Sequence, residues 1–184
     1  AVAVPVAHRL DDHGLTVTTT ATNLGDRPAP WGSGHHPYLS PGAGPIDDAV
    51  VALGAATRIV TDDRQLPIGR EPVAGTSFDL RDPVRLGPRR IDHGYTDLAR
   101  DADGRAWAHL TGTDGVTVAL WADVAHPVLQ VYTADHLGHG LRRGGLAVEP
   151  MTCPADAFRT GDHLTVLAPR ATVDATWGLT GTRP

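Results

Sequence analysis

The sequence predicts an all-β fold, either a sandwich or a barrel. Short runs rich in Val and Thr recur along the 184 residues, and turn residues separate them, including many of the 21 Gly and 15 Pro. No window of a dozen residues keeps the 3.6-residue period of an amphipathic helix. A chain of this length can form one domain, residues 1–184, with its own hydrophobic core.

The predicted strands are short and follow one another along the chain. They cover residues 14–23, 48–53, 58–61, 106–111, 116–121, 128–133, 145–148, 164–167 and 171–177. The first is a Thr- and Val-rich run with turn residues on both sides, which is typical of a strand. Asp114-Gly115 joins two of the later strands into a hairpin by supplying positive φ angles. Residues 81–94 are the loosest segment, which we interpret as a long loop that can still carry functional residues.

Composition excludes several classes of function. The net charge is −5 and the basic residues are scattered arginines, so we expect no nucleic-acid partner. We also expect no membrane partner, because no run approaches the roughly 20 apolar residues of a membrane span. The sequence opens without the basic and apolar regions of a secretory signal, and we therefore expect a cytoplasmic location. The single cysteine, Cys153, excludes an internal disulfide and a cysteine-based zinc cluster.

Glu149 is the first candidate functional residue, and it is one of only two glutamates in the sequence. It follows the apolar run 145–148 and precedes Pro150, which cannot continue a ladder through a central strand, so we expect Glu149 at a strand end. Partial withdrawal from water raises the pKa of a carboxyl group, as a general base working near neutrality requires. The alternative is a structural carboxylate that accepts hydrogen bonds from neighbouring backbone amides.

A second candidate is the pair His35-His36, followed by Pro37 and Tyr38. Pro37 restricts His36 to an extended conformation, and an imidazole there can donate a proton near neutral pH. The alternatives are a capping or core histidine and a metal site. Adjacent histidines in an extended chain point to opposite faces, so they rarely share one metal. His136 and His139 could add ligands in principle, but we expect no metal site.

Asp92 and Gln130 are the remaining polar candidates. Gln130 alternates with apolar Leu129 and Val131, which places it on one sheet face together with Tyr132. A neutral amide beside an acid and a phenol suits the recognition of sugar hydroxyls, although a solvent-facing polar position remains the alternative. We interpret Cys153 as a small structural thiol, because no base stands next to it in the sequence.

Five segments of the sequence, in this order, resemble the aldose 1-epimerase (galactose mutarotase) family. They are His36-Pro37-Tyr38-Leu39, Gln65-Leu66-Pro67-Ile68-Gly69, Phe78-Asp79-Leu80-Arg81 with Ile91-Asp92, residues 127–133, and residues 149–157. The last is similar to the Glu-Pro-x-Thr-x-Pro-x-Ala segment that carries the family's catalytic base. The five segments extend over about two-thirds of the chain.

The resemblance implies a galactose mutarotase-like supersandwich of antiparallel strands. It implies that Glu149 and His36 are the catalytic base and acid, on opposite sides of a pyranose ring, and that Asp92, Gln130 and Tyr38 bind substrate. The reaction would interconvert the α and β anomers of a hexose such as glucose or galactose, and it needs no cofactor or metal.

Family members are longer, and their early part supplies an arginine and a second histidine. The resemblance therefore implies a domain that is incomplete on its N-terminal side, matching only the later part of the family's domain. We expect an upstream segment or a second chain to complete the sandwich. Ala134 stands where the family often has Gly followed by Asn, so one polar contact of the site would be lost.

Two other functions remain open. A carbohydrate-binding or sugar-sensing module would keep the cleft without turnover. A glycosidase would need two carboxylates across the scissile bond, which Glu149 and Asp92 could provide.

Overall fold

The computed structural model describes residues 1–138 and 140–184. In this part of the chain the secondary structure is almost entirely β, which confirms the predicted class. The strands are β1 Val2–Ala3, β2 Val6–Asp11, β3 Gly14–Asn23, β4 Ala29–Trp31, β5 Tyr38–Leu39, β6 Val50–Leu53, β7 Ala55–Thr61, β8 Pro67–Pro72, β9 Val84–Arg85, β10 Asp92–Leu98, β11 Ala106–Thr111, β12 Thr117–Ala122, β13 Val128–Tyr132, β14 Leu146–Met151, β15 Thr165–Leu167 and β16 Thr172–Thr182. A 3₁₀ helix covers Ile46–Asp48 and the helix α1 covers Ala157–Thr160.

The strands form two large antiparallel sheets. An eight-stranded sheet has the order β1-β3-β16-β12-β11-β6-β9, with β2 also paired to β3, and a six-stranded sheet has the order β5-β14-β13-β10-β7-β8. A small two-stranded sheet joins β15 to β4. The core lies between the two large sheets, where Leu120 and Trp177 of the first belong to one buried cluster with Leu129 and Val148 of the second.

Most predicted strands are present, with small changes at their ends. The runs 14–23 and 106–111 coincide with β3 and β11. The segment 81–94 is predicted to be a long loop, but it is more regular than that, because it contains β9 and the start of β10. In the β11–β12 hairpin only Gly115 has a positive φ, of 82°. The amide of Gly115 donates to the carbonyl of Gly112, and a turn of this kind needs one glycine rather than two left-handed residues.

Glu149 lies inside β14 and not at a strand end, so that prediction is wrong. β14 continues through Pro150 to Met151, and its residues from Ala147 to Met151 pair with β13. The carbonyl of Pro150 accepts a hydrogen bond from the amide of His35. The carbonyl and the amide of one residue point to the same side in an antiparallel ladder, so the side of Pro150 that lacks an N–H faces the irregular 33–37 segment. The proline therefore removes no hydrogen bond between β14 and β13.

No helix in residues 1–138 or 140–184 is long and apolar enough to span a membrane.

Candidate active site

The six-stranded sheet carries a cleft of about 350 Å³ on the face that points away from the other sheet. Strand alternation explains which residues reach it. In β14, Leu146 and Val148 are buried in the core while Glu149 faces the cleft, and in β13, Leu129 and Val131 are buried while Gln130 faces the cleft. The cleft is lined by His36, Ile59, Thr61, Gln65, Pro67, Asp92, Gly94, Val128, Gln130, Tyr132, Glu149, Met151, Pro154 and Ala155.

Strand register brings the polar residues together. Glu149 of β14 is directly opposite Gln130 of β13, and Gln130 is directly opposite Gly94 of β10. Asp92, two residues before Gly94, is opposite Tyr132. Directly opposite residues on one face of a sheet have Cβ atoms about 4.5–5.5 Å apart, so Glu149 and Gln130 are side-chain neighbours, and Asp92 and Tyr132 form the next row of the same face.

His36 and Glu149 are in direct contact. The distance from His36 Nε2 to Glu149 Oε1 is 3.1 Å, and the side chains are 52% and 16% exposed. They therefore meet on one side of the cleft, whereas the sequence led us to expect them on opposite sides of a sugar ring. The segment that carries His36 is held along β14, because the amide of Val148 donates to the carbonyl of Pro37 and the amide of Thr152 donates to that of Ser33.

The environment raises the pKa of the Glu149 carboxyl group above its ordinary value. Burial is the main cause, and the negative charge of Asp92 acts in the same direction, while His36 partly opposes both. Burial disfavours the ionised form of a carboxyl group, so the proton affinity of the carboxylate increases. Glu149 therefore has the higher proton affinity that a general base needs, beside an imidazole that can carry a proton.

Asp92 and Gln130 form a second polar pair in the cleft. Gln130 Nε2 donates to Asp92 Oδ1 at 2.8 Å. This bond fixes the amide orientation and leaves the Gln130 carbonyl oxygen and the other Asp92 carboxylate oxygen as acceptors. Two fixed acceptors on adjacent strands are suited to holding sugar hydroxyls.

Gly94 shapes the floor of the cleft. A Cβ at this position would lie 2.9 Å from Ile59 Cδ1, 3.3 Å from Val128 Cγ1 and 3.4 Å from the Gln130 side-chain oxygen. The missing side chain therefore keeps space open between the Gln130 amide and the β7 side of the cleft.

Tyr38 is placed differently from the other predicted substrate-binding residues. Its ring stacks on the His36 ring, with centroids 4.9 Å apart and an interplanar angle of 29°. Among the described residues that line the cleft, the tyrosine is Tyr132 and not Tyr38. Tyr38 borders a separate hollow next to Pro45 and Leu141. Tyr132 shares a strand face with Gln130, which the alternation of the sequence already indicated.

Sequence reasoning missed the rim of the cleft formed by the β7–β8 hairpin. Thr61 and Gln65 lie there, and the Thr61 hydroxyl donates to the Gln65 side-chain oxygen at 2.9 Å. Gln65 adopts a φ of 61°, in the left-handed region that few non-glycine residues occupy. The available signal was the resemblance of residues 65–69 to a family turn, but no local pattern indicated that this turn lies beside Glu149.

Within residues 1–138 and 140–184, no group of three His, Cys, Asp or Glu side chains is arranged to hold a metal ion. Of the two later histidines considered as ligands, His136 stacks on Tyr132, and His139 lies outside the described residues. Cys153 is buried, and burial raises the pKa of its thiol, which disfavours the reactive thiolate.

A sequence profile described as aldose 1-epimerase matches residues 1–180. The chain belongs to the aldose 1-epimerase family. It is also 30% identical over 167 residues to YihR of Escherichia coli K12, a protein described as uncharacterized, and the match covers 90% of this chain and 51% of YihR.

Solved structures show the same fold. A GalM/aldose epimerase homologue from Caenorhabditis elegans superposes with a TM-score of 0.85 at 16% identity, over 99% of this chain and 60% of that one. Galactose 1-epimerase from Lactobacillus acidophilus superposes with a TM-score of 0.80 at 21% identity, over 99% of this chain and 57% of that one. These likenesses confirm the expected galactose mutarotase-like fold of antiparallel sheets.

The chain spans about half of YihR and about three-fifths of these two structures. Its correspondence to the later part of the family's domain stays a prediction.

Proposed function

We propose that this chain carries the acid and base of an aldose 1-epimerase, a cofactor-independent isomerase that interconverts the α and β anomers of a hexose. The observation that supports this best is the 3.1 Å contact between His36 Nε2 and Glu149 Oε1 at the cleft. A proton donor and a proton acceptor in contact, with the acceptor mostly buried, are the two groups that ring opening requires.

The contact fits the geometry of the reaction. The anomeric hydroxyl and the ring oxygen of a pyranose are bonded to the same carbon, so groups that act on both must be close neighbours. Glu149 takes the proton of the anomeric hydroxyl while protonated His36 gives its proton to the ring oxygen. The bond between the anomeric carbon and the ring oxygen breaks, and an aldehyde forms.

The reverse transfers complete the exchange. The aldehyde carbon turns about its bond to the neighbouring carbon, His36 takes back the proton, and Glu149 returns its own as the ring closes on the other face. The protein is left in its starting protonation state. Asp92 and Gln130 hold other hydroxyls during this turn, so that the opened chain stays oriented for closure.

A polarimetric assay tests the proposal. Freshly dissolved α-D-glucose and α-D-galactose are followed in the presence of the full polypeptide that contains these 184 residues. We expect the approach to anomeric equilibrium to accelerate in proportion to protein concentration. Sugar binding by calorimetry without acceleration would identify a binding or sensing module instead. Release of an aglycone from a glycoside would identify a glycosidase that uses Glu149 and Asp92.

We also propose that an upstream segment or a second chain completes the sandwich and brings the family's arginine and second histidine to the sugar. The exposure of β2 supports this, because all six of its residues are exposed and Leu10 is 79% exposed. Exposed edge strands with apolar side chains favour association. Size-exclusion and activity measurements on the 184 residues alone test the idea. We expect association and impaired activity, whereas a well-behaved monomer with full mutarotase activity would contradict it.

A further inference from the structure

His35 and His36 are neighbours in the chain but point to opposite faces of their segment. His36 faces the cleft, whereas His35 faces the interior and reaches the eight-stranded sheet. His35 Nε2 lies 3.0 Å from the hydroxyl of Thr19 in β3, and its ring is 5.3 Å from that of Trp177 in β16. Thr19 is 2% exposed and His35 is half-buried, so the hydroxyl end of this hydrogen bond lies inside the sandwich. The residue behind the proposed acid is therefore tied to the opposite sheet.

The same residue is tied to the proposed base through its backbone. The amide of His35 donates to the carbonyl of Pro150, the residue next to Glu149, at 3.2 Å. His36 itself is half exposed, and its side chain contacts the Glu149 carboxylate and the Tyr38 ring. The position of the His36 imidazole therefore depends on how firmly residues 33–37 are held between the two sheets.

The surroundings of His35 favour its neutral form. Burial lowers the pKa of the His35 imidazole, and His126 and His8 lower it further. A neutral ring can keep a hydrogen bond to a hydroxyl without a counter-ion, whichever of the two atoms donates. Two adjacent histidines thus have environments suited to different tasks.

We propose that His35 is a positioning residue, which holds His36 against Glu149 by fastening the His36 segment to Thr19 on the opposite sheet. The inference rests on the proposed function for the roles of His36 and Glu149. Neither His35 nor Thr19 lines the cleft, so both act through His36 and not on the substrate.

Thr19→Val tests this with little change of shape, because it replaces the buried hydroxyl by a methyl group. We expect kcat to fall about tenfold with KM nearly unchanged, since misplacing a catalytic group by about 1 Å can cost up to ~10²-fold. Thr18→Val is the matched control. It is the same substitution one residue away and removes a 3.1 Å hydroxyl contact with Thr176 on the other face of β3. Its kcat should stay at the parental value.

A titration of Glu149 separates positioning from a merely structural role. His36 lowers the pKa of Glu149 while burial and Asp92 raise it. Loosening His36 therefore shifts the titration of Glu149, and the acid limb of the pH–rate profile, to higher pH in Thr19→Val. The sequence of this chain has only two glutamates, so ¹³C labelling of glutamate carboxyl groups gives two signals from it, and Glu149→Gln identifies which is which.

Further variants keep the test decisive. His35→Ala should lose kcat because it removes the contact with Thr19. His35→Gln retains an amide that can reach Thr19 and should recover much of that loss. If Thr19→Val does not fold, the comparison of these two His35 variants decides the question. Parental values of kcat and of the Glu149 titration in folded Thr19→Val would overturn the inference. If the parental protein shows no mutarotation, the proposed function fails. The shift of the Glu149 carboxyl titration then still decides whether His35 positions His36.

Discussion

The two glutamates of this chain occupy contrasting sites on the same six-stranded sheet. Glu71 in β8 binds Arg58, whose Nε lies 2.6 Å and Nη2 2.5 Å from the same carboxylate oxygen, and its side chain is 43% exposed. Glu149 in β14 meets His36 and is 16% exposed. An arginine stays protonated at any ordinary pH, so the partner of Glu71 keeps its positive charge. A histidine gains and loses its proton near neutrality.

The difference shows what makes a carboxylate available for chemistry. Glu71 is paired with Arg58, which also stacks over the Phe78 ring at 4.0 Å, and this arrangement joins β7 and β8. Glu149 is desolvated, its pKa is raised, and its partner can exchange a proton with it. Burial combined with a titratable partner distinguishes the proposed catalytic pair, His36 and Glu149, from the Arg58–Glu71 ion pair.

The largest expected effect comes from removing the proposed base. Glu149→Gln keeps the shape of the side chain and removes the proton acceptor, so kcat for mutarotation should fall by about 10²–10⁴-fold, the usual worth of a positioned proton transfer. Glu71→Gln is the matched substitution and should leave kcat close to the parental value. Polarimetry on both variants checks the contrast. Near-parental activity of Glu149→Gln would show that Glu149 is structural.

The next largest effect is the difference in activity between variants of the two adjacent histidines. His36→Asn removes the proton donor and should abolish most of the activity. His35→Asn should have a milder effect, because it disturbs only the placement of His36. Rate measurements with equal amounts of folded protein test this order. Equal loss of activity in both variants, or loss only in the His35 variant, would show that His36 is not the acid.

Substitutions of Asp92 and of Tyr38 should have different effects on KM. Asp92→Asn removes the negative charge of a cleft-lining acceptor, so KM should rise about tenfold, equivalent to about 1.4 kcal/mol. Tyr38→Phe keeps the ring that stacks on His36 and should change KM little. A comparable rise of KM in Tyr38→Phe would show that the phenol binds substrate, as the sequence resemblance implied.

The smallest expected effect concerns the stability of the fold. Glu71→Gln loses a partly exposed ion pair, which is worth about 1 kcal/mol. For a chain of this length that loss lowers Tm by about 2–4 °C. Thermal unfolding followed by circular dichroism measures it. An unchanged Tm would mean that the Arg58–Glu71 pair contributes nothing to holding β7 and β8 together.

Local pattern was sufficient to predict much of the fold and part of the candidate site. The Thr- and Val-rich run of β3 and the alternation in β13 predicted strands, because side-chain direction in a strand has a period of two. The same period put Gln130 and Tyr132 on one face. The family resemblance pointed to Glu149, His36 and Asp92, and the structure brings these three together with Gln130 in one cleft.

Features that depend on strand register could not be predicted. Pro150 suggested a strand end, but its missing amide faces the 33–37 segment, which only the pairing of β14 reveals. The contact between His36 and Glu149, and the place of Gln65 at the rim, likewise depend on which strands are neighbours. Nothing in the local sequence around His35 indicated that it would reach Thr19 on the other sheet.

The decisive measurement for the role of Glu149 is the titration of both glutamate carboxyl groups by ¹³C NMR, compared with the pH dependence of kcat/KM. Glu149 must be ionised to act as a base, and its pKa is raised by burial. We expect Glu149 to titrate above the ordinary value of about 4.3 for glutamate. We also expect the acid limb of kcat/KM to coincide with the titration of Glu149 and not with that of Glu71. An acid limb that does not follow the Glu149 signal, or a Glu149 that titrates at or below the ordinary value, would show that Glu149 is not the base.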